Sequence, residues 1–398
     1  MWGDLFEVQA WSSRGAARQK RIVAVWALLC VLVVAALYWP IIFTGFRIPD
    51  HDERLIINAV RPHGLLGARH YFESSFWGRT ISPTYVYYRP IALTSHAIDY
   101  CLWGENPHPS HAVNLALHAI AVLLLGWLVA LLAGNWLPGM MAGALYAVLP
   151  THAEPVAWIA ARMDLLCGMF TLAAMIALML AHQRRAWSLV ATGALLFLLA
   201  VGSKETGGAL VAVVLAWALT TRRGTRRLAL CAAAIVGALA VGYIAFRHFS
   251  GTIVAPPQRH PFRHLGMRLH GYYLSRPLAR LWEAIQLRSL GWADGLGLAR
   301  GVGAGVLLMG SLSAALVMLT WRIAFYLPAL IFVQADDRYL YAPEMGSAAL
   351  IGIVLWQAAR WLRRCREGLQ WLAIGAYAWL VIAQAAALRQ ALLPWQAF

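Results

Sequence analysis

Apolar runs close to the length of a bilayer crossing recur along this chain, and that repetition excludes most folds at once. They fall near residues 22–44, 111–133, 139–150, 164–182, 187–202, 207–221, 228–248, 301–320, 323–333, 346–359 and 369–389. An α-helix rises 1.5 Å per residue, so about 20 apolar residues span the ~30 Å hydrocarbon core. With 61% hydrophobic residues, 13% charged and a mean hydropathy of +0.62, a water-soluble core could not hide the apolar surface. The expected fold class is an all-α polytopic membrane protein with about eleven transmembrane helices. Runs 139–150 and 323–333 are too short to cross alone, so their helices extend into polar flanks or pack within protein.

Charge sets the orientation. The net charge of +16 is not a nucleic-acid footprint, because the basic residues sit in tight groups between apolar runs. Arg14, Arg18, Lys20 and Arg21 precede the first run, which makes residues 1–21 a cytoplasmic basic tail and 22–398 the transmembrane domain. Arg184 and Arg185, then Arg222, Arg223, Arg226 and Arg227, then Arg360, Arg363, Arg364 and Arg366 occupy alternate short connections. With eleven crossings all of these clusters land on the cytoplasmic side, as the positive-inside rule requires. Fourteen of the seventeen carboxylates then lie on the outer side; only Asp4, Glu7 and Glu367 do not. The first run follows a basic start but is too long for a signal-peptide core, so it reads as a retained span. The five cysteines show neither CxxC nor zinc spacing.

The outer segments 45–110, 150–163, 203–206, 249–300 and 334–345 carry the chemistry. The first is long and rich in Pro, His, Trp and Tyr, which predicts short interfacial helices. Within 249–300, residues 262–290 read as an amphipathic helix pair at headgroup level. The first segment opens with Asp50, Asp52 and Glu53 at a membrane boundary, where carboxylates suit a general base or a metal ligand. Further on, Arg89 stands beside Tyr87 and Tyr88; its fork suits anionic oxygens, and an arginine snorkelling between tyrosines fits equally well. His111, Asn114 and His118 share one helix face and read as packing contacts.

At the next junction are His152, Glu154, Arg162 and Asp164. Arg162 and Asp164 can simply pair, whereas Glu154 has no local partner. Lys204 is the only lysine outside the N-terminal tail, in a chain with thirty-one arginines. That choice points to a compact ammonium for a phosphate, against a boundary pair of Lys204 with Glu205 facing water. Last, Arg338 lies between Asp336, Asp337 and the tyrosines Tyr339 and Tyr341.

In order, these motifs are an Asp-rich first loop, FWG, YYRP, D-Y-x-L-W-G-x-N-P, P-x-H-x-E-x-V-A-W-I-x-x-R-x-D-L-L, S-K-E-T and R-Y-L-Y-x-P-x-x-G. From about residue 40 to 350 the set resembles the membrane portion of the transmembrane and tetratricopeptide-repeat O-mannosyltransferases and their bacterial relatives, of the GT-C superfamily. The resemblance implies a GT-C-like fold that takes a sugar from a polyprenyl-phosphate donor on the outer face of a bacterial inner membrane. The acceptor would be a hydroxyl of a protein or glycan. It implies Asp50, with Asp52 as close alternative, for the catalytic base, and Lys204, Arg338, Arg89 and Arg162 for the donor phosphate. His152, Glu154, Asp164, Glu205 and Tyr339 would bind substrate. A divalent metal is compatible but not demanded, with Asp50, Asp52 and Glu154 as its donors. Two departures stand out: His51 separates the paired acids, and Asp337 replaces the glutamate common before the late arginine. No tetratricopeptide array follows. A transporter of lipid-linked sugars, or a non-catalytic member of the same fold, remains the alternative.

Overall fold

The computed structural model describes residues 13–46, 60–65, 67–73, 87–222, 226–249, 311–332 and 337–396. Among these there is no β-strand. The first helix, α1, runs over Ser13–Tyr38 and takes in residues 13–21, so part of the expected tail is one continuous helix with the first span. Pro40, with no N–H to extend the ladder, falls in the 3-10 turn Trp39–Phe43 that follows. Two helices then lie in the first expected outer segment, α2 (Ala68–Glu73) and α3 (Pro90–Trp103), in keeping with its interfacial reading.

Local chemistry fixes the next hairpin. Helix α4 (Pro107–Ala133) opens with Pro107 inside its first turn and Asn106 as N-cap, the side chain accepting from His108 N–H at 3.1 Å. It stops at Gly134, which takes the left-handed conformation at φ 66°. Asn135 immediately caps α5 (Trp136–Tyr146), accepting from Leu137 N–H at 2.8 Å. The two helices touch closely: a Cβ on Gly139 would lie 2.2 Å from the Gly126 carbonyl, so backbone meets backbone there. Membrane helices associate through this kind of close packing, because lipid offers no hydrophobic gain between them.

After α5 the chain does not form a further regular span. It climbs beside α4 in short turns: a 3-10 turn at Pro150–His152, α6 (Ala153–Ala157) and another 3-10 turn at Ile159–Ala161. Most of this stretch is buried. Irregular backbone at such depth survives only inside protein, and Asn114 supplies partners by donating to the carbonyls of Trp158 (3.1 Å) and Val156 (3.4 Å).

The remaining helices are α7 (Arg162–Arg184), α8 (Trp187–Ser203), α9 (Leu210–Thr220), α10 (Arg227–Phe249), α11 (Leu312–Phe332), α12 (Tyr341–Cys365) and α13 (Gln370–Gln396). Among the described residues, six stretches are long and apolar enough to cross a membrane, those built on α1, α4, α7, α10, α12 and α13; α8, α9 and α11 are shorter. The expectation of separate spans at 301–320 and 323–333 is corrected: residues 312–332 form one helix, because Pro328 lies near its end and nothing breaks it at Trp321 or Arg322. Residues 301–310 lie outside the described residues. Helix α7 is the most enclosed, packed by α4, α8, α10 and α12. Helices α1, α10 and α13 keep apolar side chains outward, as Leu28, Val241 and Ile382 illustrate. A lipid-facing rim accounts for that pattern.

The helices sort the charges by end. Arg162 and Asp164 open α7, Lys204 follows the last residue of α8, Arg247 falls in the last turn of α10 and Glu344 in the first turn of α12. The opposite ends of these helices carry Arg184 with Arg185, Arg227, and Arg363 with Arg364. The carboxylates that make ion pairs within the bundle all lie at the first of these two ends.

Candidate functional site

Lys204 is the single residue between α8 and the 3-10 turn Glu205–Ala209, in extended backbone, with its side chain turned inward. It is only 3% exposed, and its ammonium donates to Asp164 of α7. The Tyr339 ring covers it at 4.5 Å. Burial holds the Lys204 pKa below the ordinary lysine value; Asp164 opposes this, while the guanidinia of Arg89 and Arg338 reinforce it.

The neighbouring carboxylate, Glu205, receives two arginines. Arg89, the residue before α3, donates to its Oε2 from Nε (3.2 Å) and Nη2 (3.1 Å). Arg247 of α10 stands 3.5 Å from its Oε1. Arg89 also lies 4.3 Å from the Tyr87 ring centroid. Burial works against the charge of Arg89, but Glu205 and Asp164 outweigh it and hold its pKa above the ordinary arginine value.

Arg338, in the 3-10 turn Asp337–Leu340 ahead of α12, completes the cluster. Its guanidinium lies 4.7 Å from the Trp158 ring and 5.3 Å from the Tyr339 ring. Its backbone N–H donates to Glu154 Oε2 at 3.3 Å, with the guanidinium Nε 4.0 Å from Oε1. Lys204, Arg89, Arg247 and Arg338 thus converge from four different elements onto Asp164, Glu205, Glu154, Tyr339 and Trp158. A cationic centre walled by aromatic rings suits an anion attached to a sugar.

Two sequence-derived pairings are corrected. Lys204 does not form a water-facing pair with Glu205; it turns inward to Asp164, while Glu205 faces Arg89 and Arg247. Arg162 does not pair with Asp164. It is fully buried and bonds to Asp99, Ser95, Ser110 and Asn114 instead. In both cases adjacency in sequence misled, because successive residues in a turn point to different neighbours.

His152 is also enclosed, with rings of Tyr146 (4.3 Å), Tyr341 (5.0 Å) and His118 (5.1 Å) around it and Glu344 Oε2 at 3.5 Å from Nε2. Thr151 donates to the same Glu344 oxygen. His152 therefore belongs to the buried layer behind the cluster. Asp50 and Asp52 lie outside the described residues, as do the helix pair expected at 262–290 and the arginines around it. Of the anticipated metal donors only Glu154 is described, and the described residues hold no group of three His, Cys, Asp or Glu side chains suited to a metal ion. Sequence reasoning missed Arg247, Trp158 and Asp99. An arginine in the last turn of an apolar helix, Arg247, was the available signal.

The fold of this helical body is similar to that of a solved membrane oligosaccharyltransferase. The oligosaccharyltransferase of Archaeoglobus fulgidus, solved with a tethered acceptor peptide, superposes with a TM-score of 0.55 over 95% of this chain and 55% of that one, at 13% identity. The same enzyme in complex with an inhibitory peptide and a dolichol-phosphate gives 0.51, over 95% and 56%, at 15% identity.

In sequence the chain is similar to Protein O-mannosyl-transferase TMTC3 of Mus musculus, 33% identical over 148 residues, covering 37% of this chain and 16% of that protein. It is similar also to Protein O-mannosyl-transferase Tmtc1 of Drosophila melanogaster, 32% identical over 187 residues, covering 44% and 21%. The matched stretches thus amount to about a fifth of those relatives' length. No protein-family model matches the sequence.

Proposed function

We propose that this chain is a membrane glycosyltransferase that moves a sugar, mannose or a close relative, from a polyprenyl-phosphate carrier to an acceptor hydroxyl. The single observation that carries this reading is the convergence of Lys204, Arg89, Arg247 and Arg338 at the end of the bundle opposite the arginine-rich connections. By the positive-inside rule that end faces the periplasm of a bacterial inner membrane. The solved neighbour with its dolichol-phosphate, and relatives that are O-mannosyltransferases, support a lipid-linked donor and a protein acceptor.

The donor phosphate binds beside Lys204, whose buried ammonium is held by Asp164 and covered by the Tyr339 ring, and against Arg338, which is held over Trp158 and Tyr339. Arg89 and Arg247 extend the positive field, while Asp164, Glu205 and Glu154 hold the cations in place. Asp50, or Asp52 as its alternative, takes the proton of the acceptor hydroxyl. The acceptor oxygen attacks the anomeric carbon from the side opposite the phosphate, and that carbon inverts. The carbon–oxygen bond to phosphate breaks, and the phosphate leaves with the electron pair. Fixed cations stabilise the charge that develops on it, a contribution typically worth about 3 kcal/mol or more per well-placed donor.

The test is transfer of radiolabel by purified protein from polyprenyl-phosphate sugars, comparing wild type with Asp50→Asn, Asp52→Asn and Lys204→Gln. Transfer that is lost in one acid variant, with a raised donor KM in Lys204→Gln, is expected. Normal turnover in both acid variants removes the base. Translocation of lipid-linked sugar across vesicles without any transfer replaces the enzyme with a transporter.

A further inference from the structure

Arg162, at the start of α7, makes polar contacts with four residues of α3 and α4. Its Nε donates to Asn114 Oδ1 at 2.8 Å, Nη1 to Ser95 Oγ at 3.2 Å and Nη2 to the Ser110 carbonyl at 3.0 Å. Nη2 also meets Asp99 Oδ2 at 2.5 Å, the same oxygen that accepts from Ser110 Oγ at 2.7 Å. Ser95 and Asp99 are on α3; Ser110 and Asn114 are on α4. One guanidinium at the start of α7 therefore fastens three helices together.

Those helices carry members of the cationic cluster. Arg89 immediately precedes the first residue of α3. Asp164, the partner of Lys204, lies two residues beyond Arg162 in the first turn of α7. Asn114, which accepts from Arg162, in turn donates to the carbonyl of Trp158, whose ring supports Arg338. No substrate reaches Arg162, since it has no exposed surface.

Resting on the glycosyltransferase reading, we propose that Arg162 is a positioning residue. It sets the position of α3, and so of Arg89 at its start, against Lys204 and Asp164 without contacting donor or acceptor. A fork of five donors in a plane can hold four partners on two helices at once; a lysine ammonium cannot. Misplacing a charge that acts on the reacting groups, here Arg89, by about 1 Å lowers rates by on the order of 10²-fold, while Lys204 and Arg338, which do not belong to α3, keep the ground-state grip on the phosphate.

The experiment compares Arg162→Lys with Lys204→Gln in the purified full-length protein. It reads kcat and donor KM, together with backbone hydrogen exchange over residues 90–103. Arg162→Lys is expected to lower kcat by on the order of 10²-fold, leave donor KM within about twofold and accelerate exchange across α3. Lys204→Gln is expected to raise donor KM and leave that exchange unchanged. Asp99→Asn should reproduce the Arg162→Lys pattern, and the double variant should be no worse than the poorer single one.

A donor KM that rises in Arg162→Lys as in Lys204→Gln, without faster exchange, assigns Arg162 to the donor and overturns the proposal; unchanged kcat and exchange overturn it as well. If Arg162→Lys does not fold, Ser95→Ala removes one partner and should lower kcat several-fold at constant KM. If wild type transfers no sugar from any donor, the functional reading fails, and the exchange data still decide whether Arg162 fastens α3.

Discussion

Asp164→Asn isolates the electrostatic logic of the site. Lys204 is almost wholly buried, its contact anion is Asp164, and the nearby guanidinia of Arg89 and Arg338 share its sign. Removing one partner of a buried pair costs about 3–5 kcal/mol, because the other charge is left uncompensated. The cost has a ceiling: Lys204 can release its proton, which from an ordinary value of 10.5 costs about 5 kcal/mol at pH 7. The sign of the pH dependence follows. Lys204 in the folded protein already holds its proton less tightly than in the unfolded chain, so folding gains stability as pH rises toward 10.5. Losing Asp164 lowers the folded value further and widens that window downward. Once Lys204 is neutral, each pH unit recovers about 1.4 kcal/mol.

The assay is the thermal midpoint of purified protein in detergent between pH 7 and 10. Asp164→Asn should melt well below wild type at pH 7, and the gap should close as pH rises. The double variant Asp164→Asn with Lys204→Met should recover most of the loss, because an apolar replacement of a buried pair is often close to neutral. A deficit that stays constant over the whole pH range, or a double variant as unstable as the single one, refutes the reasoning.

Other substitutions separate packing from chemistry. Gly139→Val should destabilise by at least about 3 kcal/mol, since its Cβ would overlap the Gly126 carbonyl, and should lower the yield of folded protein. Gly375→Ala in α13 meets no atom within 4 Å and should raise the midpoint, by up to about 1 kcal/mol of helix propensity. Arg338→Lys loses the planar contact with Trp158 and Tyr339; about 1 kcal/mol of cation–π energy predicts a several-fold rise in donor KM at preserved folding. Glu205→Gln removes the charge facing Arg89 and Arg247, and its donor KM should likewise shift while the α3 exchange rate stays at the wild-type value.

Much of the fold could be read directly from hydropathy. The apolar runs at 111–133, 164–182 and 228–248 lie within α4, α7 and α10, since each needs only length and composition. Chain breaks were harder: one helix covers residues 312–332, because the polar interruption at Arg322 in the sequence does not break the helical ladder. Lys204, Arg89, Arg338, Glu154, Asp164, Glu205 and Tyr339 are linked by direct contacts at one end of the bundle. Who pairs with whom was not readable, because Arg162 to Asp99 and Glu154 to Arg338 join residues 63 and 184 apart in sequence. The choice among such partners is made by helix packing, which local spacing does not encode.

Helix α5 has 11 residues and rises only about 16 Å, half a hydrocarbon core, before the chain turns into the broken stretch 147–161. His152, at the foot of that stretch, packs against His118, twelve positions into α4 and about 16 Å below its start. The layer of rings formed by His118, Tyr146, His152 and Tyr341 thus stands about three helical turns below the first residue of α4, a stiff base on which the charged end of the bundle rests.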